Sequence, residues 1–371
     1  MHAAPRLRIA MLAPPWIPVP PSGYGGIETV VAVLTDTLVE RGHDVTLFAA
    51  PGSSCAGRTH AVLDRAIPDE IGAARHEVDH VTTAFDVIEG DRRAFDVIHD
   101  HSGHVALAMA DRVSLPLVHT EHGPFDASAR AFYGRHGHRA LIVGLTRSQI
   151  AEAPHGTRLF GAVANPLDPL QWHPGGPRED YALWLGRFAE VKGAHRAIRA
   201  AQLADVRLVL AGVVQPGQER YFDTQVAPHI DGDQVRFVGE VGGEHKRRLL
   251  ARASALLMPI RWAEPFGMVM MEAMACGTPV IAFPEGAATE LVEDGRSGML
   301  VQDEHEMARA LDRVAEIDPA RCRARAIELC DPQGVARRYE RAYASAIEAR
   351  GVGRASQTAR GRRASPVRPT A

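Results

Sequence analysis

The chain has 371 residues, 46% hydrophobic and 23% charged, which suits a folded protein of two domains better than a single core. A formal net charge of -3 provides no electrostatic footprint for nucleic acid. Four cysteines (Cys55, Cys276, Cys322, Cys330) form no CxxC pair, which argues against a disulfide framework or a zinc ribbon and favours a reducing compartment.

The N-terminal "MHAAPRLRIAMLAPPWIPVPP" has an apolar run too short for a signal-peptide core or a membrane span, so a cytoplasmic location is expected. Peripheral membrane contact stays open, because an interfacial helix can hide in an ordinary amphipathic one. "LRIAML" reads as the first strand and "PPSGYGGIE" as a glycine-rich loop. "IETVVAVLTDTLVE" then has helical spacing, Gly42 stops it, and "DVTLFAA" is the next strand. Gly23, Gly25 and Gly26 thus lie between a strand and a helix, where phosphate loops sit, although the spacing is neither GxGxxG nor GxxxxGK[ST].

"HEVDH" at residues 76 to 80 matches the HExxH zinc-protease pattern through His76, Glu77 and His80. Asp79 breaks the apolar character such a helix needs, and the match falls inside an alternating strand–helix pattern, so a zinc metalloprotease is the weakest alternative. Further strands follow in "FDVIHD", "LPLVHT", "RALIVGL" and "RLFGAV". His119 falls within an apolar run and reads as a structural histidine. His122, beside Gly123 and Pro124 at a strand's carboxyl end, is the better cleft residue. "VIHDHSGH" adds Asp100 and three histidines, with no third-ligand spacing that would define a metal site.

Prolines and glycines cluster in "NPLDPLQWHPGGPRED", residues 165 to 180, which reads as an interdomain linker. The strand–helix alternation then restarts in "YALWLGRF", "VRLVLAGVV", "VRFVGEV", "ALLMPI" and "TPVIAF". The expected fold is α/β: two Rossmann-like domains with parallel sheets facing each other across a cleft. The expected limits are 1–165 for the first domain and 166–335 for the second. A helix at 336–350 returns to the first domain, and 351–371 is a basic tail without fixed structure, carrying five arginines and no acid.

Two segments of the second half carry chemistry. In "LWLGRFAEVKG", Arg187 and Lys192 follow a strand end and precede a helix, where a departing diphosphate needs positive charge. In "EPFGMVMMEAMACG", residues 264 to 277, Pro265 suits the first helical position and Gly277 the stop, giving a helix of about twelve residues. The free N–H groups around Phe266, Gly267 and Met268 would face an anion. Glu272, roughly 9–10 Å further along the axis, would then accept hydrogen bonds from ribose hydroxyls. Glu264 would meet hydroxyls of a sugar on the other side, while Met268, Met271 and Met274 read as core packing.

With these residues in place, the chain resembles the retaining family 4 glycosyltransferases of the GT-B fold over roughly residues 6 to 345. The most specific part is "EPFGMVMMEAMACGTPVIA", the E-x7-E element. The resemblance implies that Glu272 holds the ribose and that Glu264 contacts the transferred sugar beside the N–H groups of Phe266 to Met268. It implies that Arg187 and Lys192 bind the diphosphate, that Gly25 and Gly26 form the glycine loop, and that His122 is the active-site histidine near the donor sugar. In place of the family's Asn-Gly-Ile/Val-Asp at the interdomain crossing the chain has "NPLDP". The implied reaction moves a hexose, with UDP the expected nucleotide, to an acceptor hydroxyl with retained anomeric configuration. It needs no cofactor and no metal, and the acceptor (small molecule, glycan or lipid) is not specified. A nucleotide-sugar 2-epimerase, which would lack dependence on an acceptor, and a non-catalytic nucleotide-sugar binding protein, which would keep the basic pair without turnover, are the other readings of the same cleft.

Overall fold

The computed structural model describes residues 5–363, with side chains through residue 350. The first sheet is built from β1 (Arg8–Leu12), β2 (Asp44–Ala49), β3 (Arg58–Ala61), β4 (Val97–Asp100), β5 (Leu117–Thr120), β6 (Leu141–Gly144) and β7 (Leu159–Ala162). Its order is β3-β2-β1-β4-β5-β6-β7, with every pairing parallel. The second contains β8 (Ala182–Leu185), β9 (Leu208–Ala211), β10 (Val235–Phe237), β11 (Ala255–Met258), β12 (Val280–Ala282) and β13 (Gly298–Leu300), in the order β10-β9-β8-β11-β12-β13. It too is wholly parallel. Helices cover both faces, as parallel strands with continuous apolar runs require. The α/β fold of two Rossmann-like sheets is therefore the observed one.

Two of these strands escape the hydrophobic reading. β3, with sequence RTHA, is a largely exposed edge strand, and β13 has three residues. An edge strand needs no apolar face to be held, since pairing to one neighbour suffices.

The strand order reverses beside β1 in the first sheet and beside β8 in the second, so each sheet has its crevice at the carboxyl end of its first strand. The glycine loop follows β1 and the Arg187 loop follows β8. Contacts close the rims between the two halves. Thr146 Oγ1 donates to the Pro265 carbonyl at 3.0 Å, the Ser148 N–H to Glu290 at 2.5 Å, and the Tyr24 N–H to Glu240 at 3.3 Å.

The long helix Pro332–Arg363 packs on the first sheet, not the second. Val335, Ala336, Tyr339, Ala342, Tyr343 and Ala346, spaced three and four apart, enter one core with Leu34, Leu38 and Val118. Arg41 fixes it from the side through a two-pronged pair with Glu340, at 2.6 and 2.9 Å. Each fully buried tyrosine contributes about 1.5–3 kcal/mol of apolar burial. The helix runs past the tail boundary expected at residue 351, and residues 364–371 lie outside the described residues.

Candidate active site

A cleft of about 530 Å³ opens between the halves. Every site residue named from the sequence lines it: Gly25, Gly26 and His122 from the first half, with Arg187, Lys192, Glu264, Phe266, Gly267, Met268 and Glu272 from the second. The structure thus brings together residues as far apart in the chain as Gly25 and Glu272.

The E-x7-E segment folds differently from expectation at its start. The helix runs Met268–Ala275, eight residues, with Gly267 as its N-cap in a left-handed conformation at φ 75°. Pro265 is therefore not its first residue. A side chain at Gly267 would be strained by that φ, and its Cβ would come within 2.6 Å of the Met270 methyl. Phe266 borders the cleft but is buried and belongs to the core of the second half. The helix-start N–H groups are therefore those of Met268 and Val269, one position later than expected, because Met270 N–H already bonds the Gly267 carbonyl. Glu272 lies only about 6 Å along the axis from Met268. Met270, not Met268, joins Met271 and Met274 in full burial.

Each glutamate has its own lysine. Glu264 accepts from Lys192 Nζ and, at 2.8 Å, from the indole N–H of Trp262, whose ring lies 4.5 Å from the same ammonium. Glu272 is buried, and Lys246 Nζ lies 2.7 Å from both of its oxygens, with the hydrogen bond going to Oε1. Oε2 accepts no hydrogen bond from any described residue. Such an acceptor is costly to bury, and the Lys246 ammonium 2.7 Å away offsets its charge without donating to it. Arg187 stands apart: its guanidinium crosses to the ring of Tyr24, 5.7 Å away, and has no carboxylate partner among the described residues. Lys246, Trp262 and Tyr24 were not anticipated. Only Trp262, two residues before Glu264, carries a signal in the local sequence.

The opposite wall starts with Gly25, the N-cap of the helix Gly26–Glu40, at φ 154°. A Cβ there would meet Pro21 at 2.7 Å and the Glu28 carboxylate at 3.0 Å, so the loop can close only with glycine. Glu28, also unanticipated, is buried at the cleft edge, and desolvation raises its pKa to about 7.

Beneath the cleft, β4 and β5 end in a buried polar network. His122 Nε2 pairs with His101 Nδ1 at 2.8 Å, and burial pushes His122 down to about 4, so it is a neutral imidazole at pH 7. His99 links Tyr343 of the long helix (2.8 Å) to Thr120 (2.9 Å), and burial holds both His99 and His101 well below the usual histidine range. His119 is enclosed, bonded to Asp100 at 2.5 Å and Tyr133 at 2.7 Å. Burial lowers its pKa, but Asp100 and Glu121 outweigh this and raise it to about 9.

The HExxH match does not assemble into a metal site. In the helix Ala74–Gly90, His76 turns to Glu70 at 2.9 Å, Glu77 accepts from the Val105 N–H, and His80 is enclosed with neither ring nitrogen bonded. Among the described residues no group of three His, Cys, Asp or Glu side chains is arranged to hold a metal ion.

Comparison with known proteins places the chain in a family. Residues 24–167 match the family described as Glycosyltransferase Family 4, and residues 174–328 match Glycosyl transferases group 1. The chain is 31% identical to a D-inositol 3-phosphate glycosyltransferase of Frankia alni over 78% of this chain and 86% of that protein. It is 27% identical to a phosphatidyl-myo-inositol mannosyltransferase of Mycolicibacterium smegmatis over 85% of this chain and 86% of the other. It also superposes on AviGT4, a glycosyltransferase involved in avilamycin A biosynthesis, with a TM-score of 0.69. That alignment is 27% identical and covers 92% and 98% of the two chains.

Proposed function

The chain belongs to the family 4 glycosyltransferases of GT-B type, and from that premise we propose that it moves a hexose from a UDP-linked donor to an acceptor hydroxyl with retention of anomeric configuration. The observation that carries this reading is the pairing of two carboxylates from one segment, Glu264 and Glu272, with separate lysines on one cleft wall. Glu272, with its incompletely bonded Oε2, takes the ribose hydroxyls. The Met268 and Val269 N–H groups, Arg187 and Lys192 take the diphosphate, where charge grows as the bond to the sugar breaks. Preformed cations at this position do the work that a metal ion performs elsewhere. Gly25 and Gly26 let the backbone of the first half approach the same phosphates. His122, neutral, serves as a hydrogen-bonding partner for a hydroxyl of the transferred sugar, not as a proton donor at pH 7.

The relatives named above act, by their names, on an inositol phosphate and a phosphatidylinositol, and one of them transfers a mannosyl group; this supports a hexose as the moving group and a hydroxyl as the acceptor. Closure of the two walls orients both substrates and excludes water, which would otherwise hydrolyse the donor. The test is a thermal-shift screen of UDP-, GDP- and ADP-linked sugars, followed by product analysis with candidate acceptors. UDP and a UDP-hexose should raise the melting temperature. Absence of any shift at millimolar concentration would remove the donor-site assignment, and a UDP-sugar converted to its epimer without acceptor would replace the transferase with an epimerase.

A further inference from the structure

The two walls of the cleft differ in charge. Its lining cations among the described residues, Arg187, Lys192 and Lys246, all come from the second half. The first half contributes one carboxyl group, Glu28, with apolar and aromatic side chains beside it. Tyr24 and Ile71 keep 50% and 53% of their surface exposed, and Trp16 and Ile17 line the same cleft. Exposed side chains of this size on the wall of a cavity mark a contact surface for an apolar partner.

Resting on the transferase reading, we propose that the acceptor is an uncharged, hydroxyl-bearing molecule with an apolar face, held by Glu28 and Asn165 and rejected when it carries a phosphate. Glu28 is 5% exposed and, apart from its own backbone N–H, has no hydrogen-bond or ion-pair partner among the described residues. Asn165, 4% exposed and on the same cleft, has a buried Oδ1 that accepts nothing. Asn165 Oδ1 is thus a buried acceptor without a donor, Glu28 is a carboxyl group without a side-chain partner, and donors from a polyol would bond both. With its pKa near 7, Glu28 is partly ionised at neutral pH. A phosphate dianion on this wall would meet that charge in a partly desolvated setting where repulsion is strong, and the one cation that reaches across, Arg187 over the Tyr24 ring, is taken up by the donor diphosphate in the UDP-saturated protein.

The probes are phenyl β-D-glucoside, neutral with one apolar face, and its 6-phosphate, titrated by calorimetry into the protein saturated with UDP. The neutral glucoside should bind at least tenfold more tightly than the phosphate. Glu28→Lys should shift that ratio at least tenfold toward the phosphate, and Glu28→Gln, which removes only the charge, at least threefold. Equal or tighter binding of the phosphate to the unaltered protein overturns the proposal. So does a ratio that neither variant moves, or failure of both probes to bind. The UDP-induced melting shift, recorded on each variant, reports folding and the donor site separately. Its absence in the unaltered protein would count against the transferase reading, whereas its presence with failed acceptor discrimination counts against this proposal alone.

Discussion

Lys192 Nζ and Glu264 Oε2 form an ion pair inside the cleft, with Trp262 bonded to the same oxygen and its ring against the same ammonium. The cation assigned to the diphosphate and the carboxylate assigned to the sugar are therefore not independent. Before the donor arrives, each satisfies the other. A diphosphate reaching Lys192 competes with Glu264 for its protons, or shares them.

This coupling sets the outcome of the first substitution. Glu264→Gln removes the competitor and frees Lys192, so UDP affinity should stay level or rise by a few-fold, while turnover falls at least tenfold. Calorimetry with UDP beside initial rates measures both. A tenfold loss of UDP affinity would show that Glu264 itself supports the nucleotide.

Glu272→Gln should behave in the opposite way. An amide offers the ribose one acceptor and places a donor against Lys246, which is also left without its counter-charge. The expected loss of UDP affinity is on the order of 1–3 kcal/mol, about five- to 150-fold. Unchanged UDP binding in calorimetry would remove Glu272 from the ribose site.

Activity should persist after exhaustive treatment with EDTA if, as proposed, Arg187 and Lys192 supply the charge that faces the leaving group. Full loss on chelation, with recovery on adding magnesium or zinc, would mean that a metal ion shares this task. Arg187→Ala, by contrast, should lower kcat/KM by at least a hundredfold, as loss of one transition-state charge contact typically does.

Stability should fall on mild acidification. His80 and His122 are pushed to about 4 by burial, and His99 and His101 also lie well below the normal value. A depressed pKa means that the unfolded chain binds protons first, so the stability these groups contribute is present above about 6.5 and lost as pH falls toward 4. Glu28, raised to about 7, acts oppositely, gaining stability as pH falls through the same window. Glu77 is raised as well, but His136 and His195 are lowered alongside the four, and His119, raised to about 9, changes its contribution chiefly above pH 6.5, so the lowered histidines decide the sign. Urea unfolding at pH 7, 6 and 5 should show a loss on the order of 1 kcal/mol or more per pH unit. A flat or rising profile would contradict the burial of the histidines.

Tyr343→Phe isolates the link between the long helix and the network under the cleft. It keeps the ring but leaves His99 Nδ1 buried without its 2.8 Å partner, which should cost about 1–3 kcal/mol. The same denaturation experiment reads it, and a cost below 0.5 kcal/mol would show that the bond is dispensable.

What the sequence determined by itself was local. Continuous apolar runs such as LVHT and ALLM made strands legible, and the E-x7-E spacing with its glycine marked Glu264 and Glu272. Position after a strand end was enough to select Arg187, Lys192, Gly25 and His122, because parallel sheets present those loops on one side. The start of the Met268–Ala275 helix was not legible: the Glu-Pro pair resembles a helix entry, whereas Gly267 at φ 75° decides it three residues later. β3 was missed because an exposed edge strand carries no apolar signature. Partnership was decided only in three dimensions. Lys246 lies 26 residues from Glu272, Lys192 lies 72 from Glu264, and Tyr343 lies 244 from His99. No periodicity links positions so far apart. The packing of two sheets and one returning helix sets those distances, and with them which carboxylate is neutralised, which histidine stays uncharged, and which wall of the cleft contributes no cation of its own.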